Sequence, residues 1–225
     1  MRNNSPSTTK PRKFRVLIVD DHPIFRAGII QLIDQEPDLT ICGEAEHSAK
    51  ALEVIAVCRP DIAVIDVTLK GRDGVELMKD LKVRHPDLPV LMLSMHDESL
   101  YAERALRAGA RGYIMKQETT DKVLVAIRRI LSGSVYLSDS MAERMLTQYV
   151  GQKTPVSSSP MEQLSDRELQ VFRLLGQGRG TREIAEELHL GRSTIESHRA
   201  NIKRKLKLQN ATALLQHAVQ WVESE

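Results

Sequence analysis

The 225-residue chain has few aromatic residues, only two cysteines and no long apolar run. Aromatic side chains make up 4% of the sequence, so a surface that stacks on single-stranded nucleic acid is not expected. Cys42 and Cys58 have no CxxC spacing and no set of histidine partners, which argues against a zinc site or a disulfide scaffold and fits a reducing compartment. No stretch approaches the roughly 18 apolar residues that cross a bilayer, and residues 1–13 lack the apolar core of an export signal. We therefore expect a soluble, cytoplasmic protein that has no membrane partner.

The charge distribution is more informative than the net charge of +2. Between Arg192 and Lys207 the chain has six basic residues and one acidic residue, Glu196. Such a concentration of positive charge favours a polyanionic partner. Hydrophobic residues make up 41% of the chain and charged residues 28%, which is typical of folded domains. At about 150 residues per domain, this length suggests two unequal domains.

Short β-branched runs alternate with amphipathic stretches over residues 14–132, which predicts βα units and a doubly wound parallel sheet. Residues 1–13 are basic and are expected to form a disordered tail. The predicted strands are Arg15–Val19, Leu39–Glu44, Ile62–Ile65, Val90–Leu93 and Gly112–Met115, and the predicted helices cover residues 23–35, 48–58, 73–85, 97–108 and 120–132.

A different organisation follows this α/β region. Residues 133–162 contain an amphipathic stretch at 138–149 and then the sequence GQKTPVSSSP at 151–160, which is too rich in Gly, Ser and Pro to build a core and predicts a flexible linker. Over residues 163–225 the periodicity is helical, with predicted helices at 165–177, 181–188, 192–206 and 210–223. Ser165 and Glu168 have the spacing of a capping box. This pattern predicts a second, all-α domain of four helices.

Polar residues follow four of the predicted strands at their carboxyl ends, which is where parallel sheets bind ligands. They are Asp20, Asp21, Asp66, Ser94 and Lys116. One aspartate at a strand end is more often a helix cap than a catalyst, but five convergent polar groups point to a site. Crowded carboxylates need a cation among them, and oxygen ligands with room for water suit Mg²⁺. A carboxylate nucleophile beside Mg²⁺, a lysine and a hydroxyl can form an aspartyl phosphate.

The segments VLIVDDHPIFRAGI, VIDVTLKGRDG, LMLSMHD and GARGYIMK resemble the receiver domain of two-component response regulators over residues 14–132. The resemblance implies a flavodoxin-like strand order of 2-1-3-4-5 and phosphorylation by a histidine kinase. It also implies a role for each matching residue: Asp66 as phosphoacceptor, Asp21 as a direct Mg²⁺ ligand, Asp20 as a supporting acid, Thr68 as a backbone-carbonyl ligand, Ser94 and Lys116 as phosphoryl-binding residues, and Ser94 and Tyr113 as switch residues.

Two positions depart from the commonest receiver pattern. Lys70 stands in the loop after the phosphoacceptor, where proline is usual, and is expected to make that loop more mobile. Met95 follows Ser94 where a small residue is frequent. We expect Met95 to restrict access to the acyl phosphate and to slow phosphorylation by small donors such as acetyl phosphate.

The second domain contains the proportions of a helix-turn-helix, with helices at 181–188 and 192–206. At about 100° per residue, Ile195, Ile202 and Leu206 share one face of the second helix, which we expect to face the core. The opposite side carries Ser193, Glu196, Ser197, Ala200, Lys203 and Arg204, which are available to a major groove. Arg192, Ser193 and Thr194 lie in the first turn, where backbone amides and side chains can bind phosphate. A solvated basic face on an ordinary bundle is the alternative.

The LSDRE, REIA, STIESH and IKRKL segments resemble the LuxR-type helix-turn-helix of the NarL/FixJ response regulators over residues 163–225. The resemblance implies phosphate contacts from Thr194, His198, Arg199 and Lys205, and base contacts from Glu196, Ser197 and Ala200. Lysine is common at the position of Glu196, and a carboxylate there would repel phosphate and could accept a hydrogen bond from cytosine N4. The apolar stripe of the last helix is either core or a dimer surface.

We therefore interpret the chain as a transcriptional regulator of a bacterial two-component system that binds duplex DNA as a homodimer when Asp66 is phosphorylated. It is not expected to be an enzyme beyond its own phosphorylation and dephosphorylation, and RNA polymerase is a further candidate partner. In the simplest form of the switch, the unmodified receiver docks on the output domain and hides helix 192–206.

Three alternatives stay open. A phosphatase with an aspartyl-phosphate intermediate commonly has Asp-x-Asp-x-Thr, but the second acid is missing at Thr68. A LuxR-type regulator gated by a small apolar ligand would have no use for the convergent acids and Lys116. Activation that is independent of phosphate keeps the same architecture.

Overall fold

A computed structural model describes residues 12–69, 74–95, 98–118, 120–150 and 160–223. Most of the predicted basic tail and of the 151–160 linker lies outside these residues, as does Lys70. In the N-terminal region, five strands alternate with five helices. The elements in chain order are β1 (Phe14–Val19), α1 (Pro23–Asp34), β2 (Leu39–Ala45), α2 (Ser48–Cys58), β3 (Ile62–Asp66), α3 (Gly74–Arg84), β4 (Val90–Ser94), α4 (Glu98–Ala108), β5 (Gly112–Met115) and α5 (Thr120–Leu131).

All the strand pairs are parallel and the strand order is β2-β1-β3-β4-β5, which confirms the predicted doubly wound sheet. The register brings the carboxyl ends together, because Asp66 of β3 pairs with Leu93 and Ser94 of β4 pairs with Met115. Both residues are therefore the last members of their strands, one position beyond the predicted strand ends. Their side chains are polar, but their backbones still belong to the ladder.

Two apolar layers enclose the sheet. Val16, Ile18 and Ile62 pack against the layer formed by α1 and α5, where Ile29 and Ile127 are buried. The opposite face packs against α2, α3 and α4. Burial on both faces explains why the strands are continuous apolar runs and why only their ends are polar.

The C-terminal region is all-helical, as predicted. After α6 (Asp139–Val150) the described elements are a short 3₁₀ turn (Pro160–Gln163), α7 (Asp166–Gly176), α8 (Thr181–Glu187), α9 (Arg192–Lys205) and α10 (Ala211–Glu223). The predicted capping box is present, with the Ser165 side chain accepting from the Glu168 amide and the Glu168 carboxylate accepting from the Ser165 amide. None of the helices described is both long and apolar enough to cross a bilayer.

The core of this region joins α7, α9 and α10. Ile195 and Ile202 of α9 are fully buried, as their helical spacing predicts, and Phe172 of α7 contacts Trp221 of α10 with ring centroids 5.6 Å apart. Gly176 lets α7 and α10 approach closely, because a Cβ there would lie 2.3 Å from the Ala218 carbonyl oxygen. Packing on one side of α9 leaves its other side to solvent.

Candidate functional site

The polar strand ends meet in one buried acidic pocket. Asp20 follows β1, Asp66 ends β3 and Lys116 follows β5, and the side chains of all three are at most 2% exposed. Lys116 Nζ lies 2.6 Å from Asp20 Oδ2 and 2.6 Å from Asp66 Oδ2, so one ammonium group bridges two carboxylates. The same nitrogen lies 4.5 Å from the centroid of the Phe25 ring, which adds a cation–π contact.

The pocket also has the donor set of a cation site. Asp20, Asp21, His22 and Asp66 each offer a ligand atom, and these atoms lie within 4.8 Å of one another. Asp21 Oδ1 is buried and accepts no hydrogen bond from the described residues; its close neighbour is His22 Nδ1, at 2.9 Å. A buried carboxylate oxygen without a donor is stabilised by a cation. The acidic pocket is consistent with a metal site.

Backbone groups fix the carboxylates of this pocket. The Asp20 side chain accepts from the His22 amide at 2.8 Å, and Asp66 Oδ1 accepts from the Thr68 amide at 3.0 Å. Arg26 donates to the Asp20 carbonyl at 2.6 Å. Gly74 lies directly against the Asp66 backbone, since a Cβ at Gly74 would be 2.0 Å from the Asp66 carbonyl oxygen. The local backbone therefore fixes the orientation of the Asp20 and Asp66 carboxylates.

Burial raises the pKa of Asp66 to about 6. The positive charge and hydrogen bond of Lys116 lower the pKa, while the neighbouring charge of Asp20 raises it. The carboxylate is thus held in an environment where negative charge is costly and a cation is favoured.

The predicted phosphoryl-binding and switch residues lie on β4 and β5 or directly after β5. Ser94 is fully buried at the end of β4, and its carbonyl accepts from the Lys116 amide at 2.6 Å. Tyr113 on β5 is buried, with 2% of its surface exposed. Met95, which follows Ser94 in the chain, is 54% exposed. The sheet edge brings together Asp20, Asp21, Asp66, Ser94 and Lys116, as the sequence predicts.

His22 is a member of the acidic pocket that the sequence reasoning missed. It follows the Asp20-Asp21 pair directly, and its Nδ1 also lies 3.4 Å from Asp20 Oδ1 and 3.7 Å from Asp66 Oδ2. Its side chain is 58% exposed, at the mouth of the pocket. Its position directly after two aspartates was the sequence feature that could have indicated its place in the pocket.

Helix α9 presents the predicted polar surface to solvent. The exposed residues are Arg192, Ser193, Thr194, Glu196, Ser197, Ala200 and Arg204, and Lys203 is partly exposed. The expectation that the docked receiver hides this helix is wrong for this structure, because these side chains are open. We call this set the α9 face.

The other three predicted DNA contacts interact with protein groups. Lys205 Nζ lies 2.5 Å from Glu168 Oε2, which is almost fully buried. Arg199 binds Thr181 of α8 and also Glu196, the latter at 3.1 Å. His198 is half-buried, and burial lowers its pKa, as does Arg167, whereas Glu168 and Glu76 of α3 raise it. These side chains are held within the protein fold.

Polar contacts join the two regions beside a shared apolar cluster. Arg104 of α4 donates to the Leu164 carbonyl at 2.8 Å, to the Met161 carbonyl at 2.6 Å and to Asp166 Oδ1 at 3.1 Å. Lys79 of α3 donates to Asp166 Oδ2 at 2.9 Å. We call this set of five residues the interdomain contact. It holds the start of α7 against the α3 and α4 side of the sheet.

Family models match both regions. The model described as the response regulator receiver domain covers residues 16–128, just over half of the chain, and the model described as bacterial regulatory proteins of the luxR family covers residues 162–218. The chain belongs to the response regulator family. This response regulator is 31% identical to the nitrate/nitrite response regulator protein homolog of Haemophilus influenzae over 201 residues, which is 89% of this chain and 94% of that protein.

Two solved structures are similar to this response regulator over more than nine-tenths of its chain. RcsB from Salmonella enterica serovar Typhimurium, bound to promoter rprA in the presence of the phosphomimetic BeF3⁻, has a TM-score of 0.63 at 25% identity, covering 92% of this chain and 99% of that chain. A structure described as two RcsB dimers bound to two parallel DNAs has a TM-score of 0.56 at 26% identity, covering 91% of this chain and 97% of that chain. The combination of receiver and LuxR-type domain assigns the chain to the NarL/FixJ group, as its sequence segments predict.

Proposed function

We propose that Asp66 accepts a phosphoryl group from a histidine kinase and that this modification promotes binding of a homodimer to duplex DNA through the α9 face. The observation that carries the proposal is the buried ammonium of Lys116 between Asp20 and Asp66. Beside it, a carboxylate oxygen of Asp21 accepts no hydrogen bond from the part of the chain that the structure describes. Buried titratable groups that converge beside a specific charge partner are typical of functional sites.

The chemistry of the donor set fits Mg²⁺, a cation that prefers oxygen ligands and keeps some of its water. Asp20, Asp21 and Asp66 would hold it, with the Thr68 carbonyl as a further ligand. When bound, the ion neutralises the charge that develops on a transferred phosphoryl group.

The residues of the pocket divide the transfer among them. A carboxylate oxygen of Asp66 attacks phosphorus, the P–N bond of the donor phosphohistidine breaks, and the imidazole leaves with the bonding electron pair and takes up a proton. Thr68 keeps the attacking carboxylate oriented through its amide. Lys116 would transfer its hydrogen bond from Asp66 to a phosphoryl oxygen, and the hydroxyl of Ser94 would donate to another.

The output step rests on the exposed α9 face and on the interdomain contact. The contact ties α7 to the receiver and leaves the α9 face exposed. Phosphorylation would therefore regulate DNA binding by releasing the DNA-binding domain from the receiver, not by uncovering the α9 face. Phosphorylation, read through Ser94 and Tyr113, would weaken this contact and favour a dimer in which two α9 helices reach two half-sites. RcsB, which is described bound to a promoter and as DNA-bound dimers, supports this arrangement.

We propose the same domain boundaries as the sequence predicts: a basic tail at 1–13, the receiver at 14–132, a helix and linker at 133–162, and the DNA-binding domain at 163–225. We infer that the protein acts in the cytoplasm, where it meets duplex DNA, its histidine kinase and, as a further candidate partner, RNA polymerase. A phosphatase remains a less favoured function, since Thr68 stands where such enzymes have a second acid.

Phosphoryl transfer tests the proposal directly. Wild type and Asp66→Asn are incubated with Mg²⁺ and acetyl phosphate, and the acyl phosphate is quantified by its sensitivity to hydroxylamine. Labelling is expected in the wild type and absent in Asp66→Asn, while the exposed control Asp87→Asn labels normally. Equal labelling of both aspartate variants, or steady turnover of phosphate esters by the wild type, would contradict the assignment.

A further inference from the structure

The only acid in the basic stretch of α9 is fixed by a ring of hydrogen bonds. Glu196 Oε1 accepts from the Thr181 hydroxyl at 2.9 Å and from Arg199 Nη1 at 3.1 Å, and Arg199 Nη1 also donates to the Thr181 hydroxyl. Thr181 begins α8, whereas the other two residues lie on α9. The ring therefore joins the two helices of the helix-turn-helix through the carboxylate of Glu196.

This arrangement leaves one carboxylate oxygen available. Within the described part of the chain, Oε2 of Glu196 accepts no hydrogen bond, and the side chain is 58% exposed on the α9 face. An exposed ion pair at i,i+3 spacing contributes little alone and does not hold a long side chain in one rotamer. A third partner on another helix restricts that rotamer, which reduces the entropy lost when Glu196 contacts a base.

A carboxylate only accepts hydrogen bonds, so it distinguishes the bases by the donors that each presents in the major groove. Guanine presents two acceptors and thymine presents O4, so both repel it. Adenine offers N6 as a donor, but the acceptor N7 is adjacent. Cytosine offers N4 without a neighbouring acceptor of its own.

We propose that Glu196 selects cytosine at one position of each half-site, and that Thr181 and Arg199 are positioning residues that aim its free oxygen at N4. This inference rests on the proposed function, in which α9 enters the major groove. Arg199 then serves recognition through Glu196 rather than as a separate phosphate contact. The carboxylate of Glu196 repels the phosphates and so weakens binding to any duplex, but it lets the protein distinguish cytosine from the other bases.

Selection from a randomised duplex pool, with Mg²⁺ and beryllofluoride present, identifies the preferred half-site. Affinities are then measured for that site and for its versions with each cytosine replaced. The wild type is expected to lose affinity on the order of 10-fold when one particular cytosine becomes thymine. Glu196→Gln should remove most of that difference, because an amide can accept from cytosine N4 and can also donate to thymine O4.

The positioning role has its own pair of variants. Thr181→Val keeps the shape of the side chain but removes the hydroxyl, whereas Thr181→Ser retains it. Thr181→Val should lower the cytosine preference several-fold while Thr181→Ser preserves it. Removing any negative charge from this domain is expected to raise its affinity for DNA. Glu187→Gln removes one exposed negative charge from α8, so it controls for this effect and should leave the cytosine preference unchanged.

The outcomes test the role of Glu196, the role of Thr181 and the proposed function separately. An unchanged cytosine preference in Glu196→Gln overturns the role of Glu196, and equal preference in Thr181→Val and Thr181→Ser overturns the role of Thr181. A wild-type protein that enriches no sequence refutes the proposed function itself, and this inference with it.

Discussion

The acidic pocket and the α9 face carry charge under opposite physical conditions. In the pocket, Asp20, Asp66 and Lys116 are nearly inaccessible to water, so each charge depends on its neighbours. On the α9 face the cations are solvated, and each contributes separately to attraction for a polyanion. Buried charges can therefore act as a switch with a defined geometry, whereas exposed charges supply graded affinity. The predictions below test this difference, beginning with the largest expected effect.

The first prediction concerns Lys116→Met, which leaves two buried carboxylates without their shared counter-charge. Breaking a buried pair by removing one partner costs about 3 kcal/mol or more, so the free energy of unfolding should fall by about that amount at neutral pH without divalent cations. Urea denaturation measures it. Lys50→Met removes an exposed lysine paired with Glu53 and should cost less than about 0.5 kcal/mol. Similar losses in both variants would contradict the distinction between buried and exposed charge.

The second prediction concerns the pairing of Lys205 with Glu168. Burial alone raises the pKa of Glu168, but hydrogen bonds from Lys205 and the Ser165 amide outweigh it and leave the pKa below the ordinary value of 4.5. Because the pKa is depressed in the folded state, the stabilisation is present above pH 4.5 and is lost as the pH falls through the folded value.

Glu168→Gln should therefore lower the free energy of unfolding by about 1–2 kcal/mol at pH 7, and the difference from wild type should shrink on acidification. Unfolding followed by Trp221 fluorescence reports on this domain. Glu186→Gln, which breaks the exposed pair with Arg182, is the matched control and should change little. A difference that grows as the pH falls would refute the sign of the shift.

The third prediction addresses the connection between the two regions. Arg104→Ala removes three hydrogen bonds of the interdomain contact, so DNA affinity of the unmodified protein should rise by about 10-fold, equivalent to the loss of a restraint of about 1.4 kcal/mol. Arg107→Ala, on the same helix, removes an exposed pair with Glu103 and should leave affinity unchanged. Equal affinity of Arg104→Ala and wild type would show that the contact does not restrain the output domain.

The fourth and smallest effect is expected on the α9 face. Lys203→Ala and Arg204→Ala should each weaken duplex binding a few-fold and reduce the slope of log affinity against log salt by about 1. Titrations by fluorescence anisotropy at several salt concentrations measure both quantities. An unchanged slope would remove that side chain from the set of phosphate contacts.

The sequence predicts the α/β region and its pocket because both depend on local signals. Apolar runs identify strands that are buried on both faces, and polar residues at their ends converge wherever parallel strands share an edge. The sequence predicts the ends of β3 and β4 one residue too early, because Asp66 and Ser94 are polar and yet remain in the ladder.

Pairings across helices could not be predicted in the same way. The basic composition of α9 shows many cations but not which of them meet protein acids. Lys205 reaches Glu168 because α7 packs on α9, and Arg199 reaches Thr181 because α8 crosses it. The interdomain contact, likewise, depends on how the two regions approach, for which periodicity carries no signal. These residues required the structure.

The central claim is that chemistry at Asp66 controls the affinity of the α9 face for duplex DNA. The most direct measurement compares wild type and Asp66→Asn on a selected duplex at about 150 mM salt, with Mg²⁺ and with or without beryllofluoride. We predict that beryllofluoride tightens wild-type binding at least about 10-fold and has no effect on Asp66→Asn. Equal wild-type affinity in both conditions, or the same gain in Asp66→Asn, would contradict the claim.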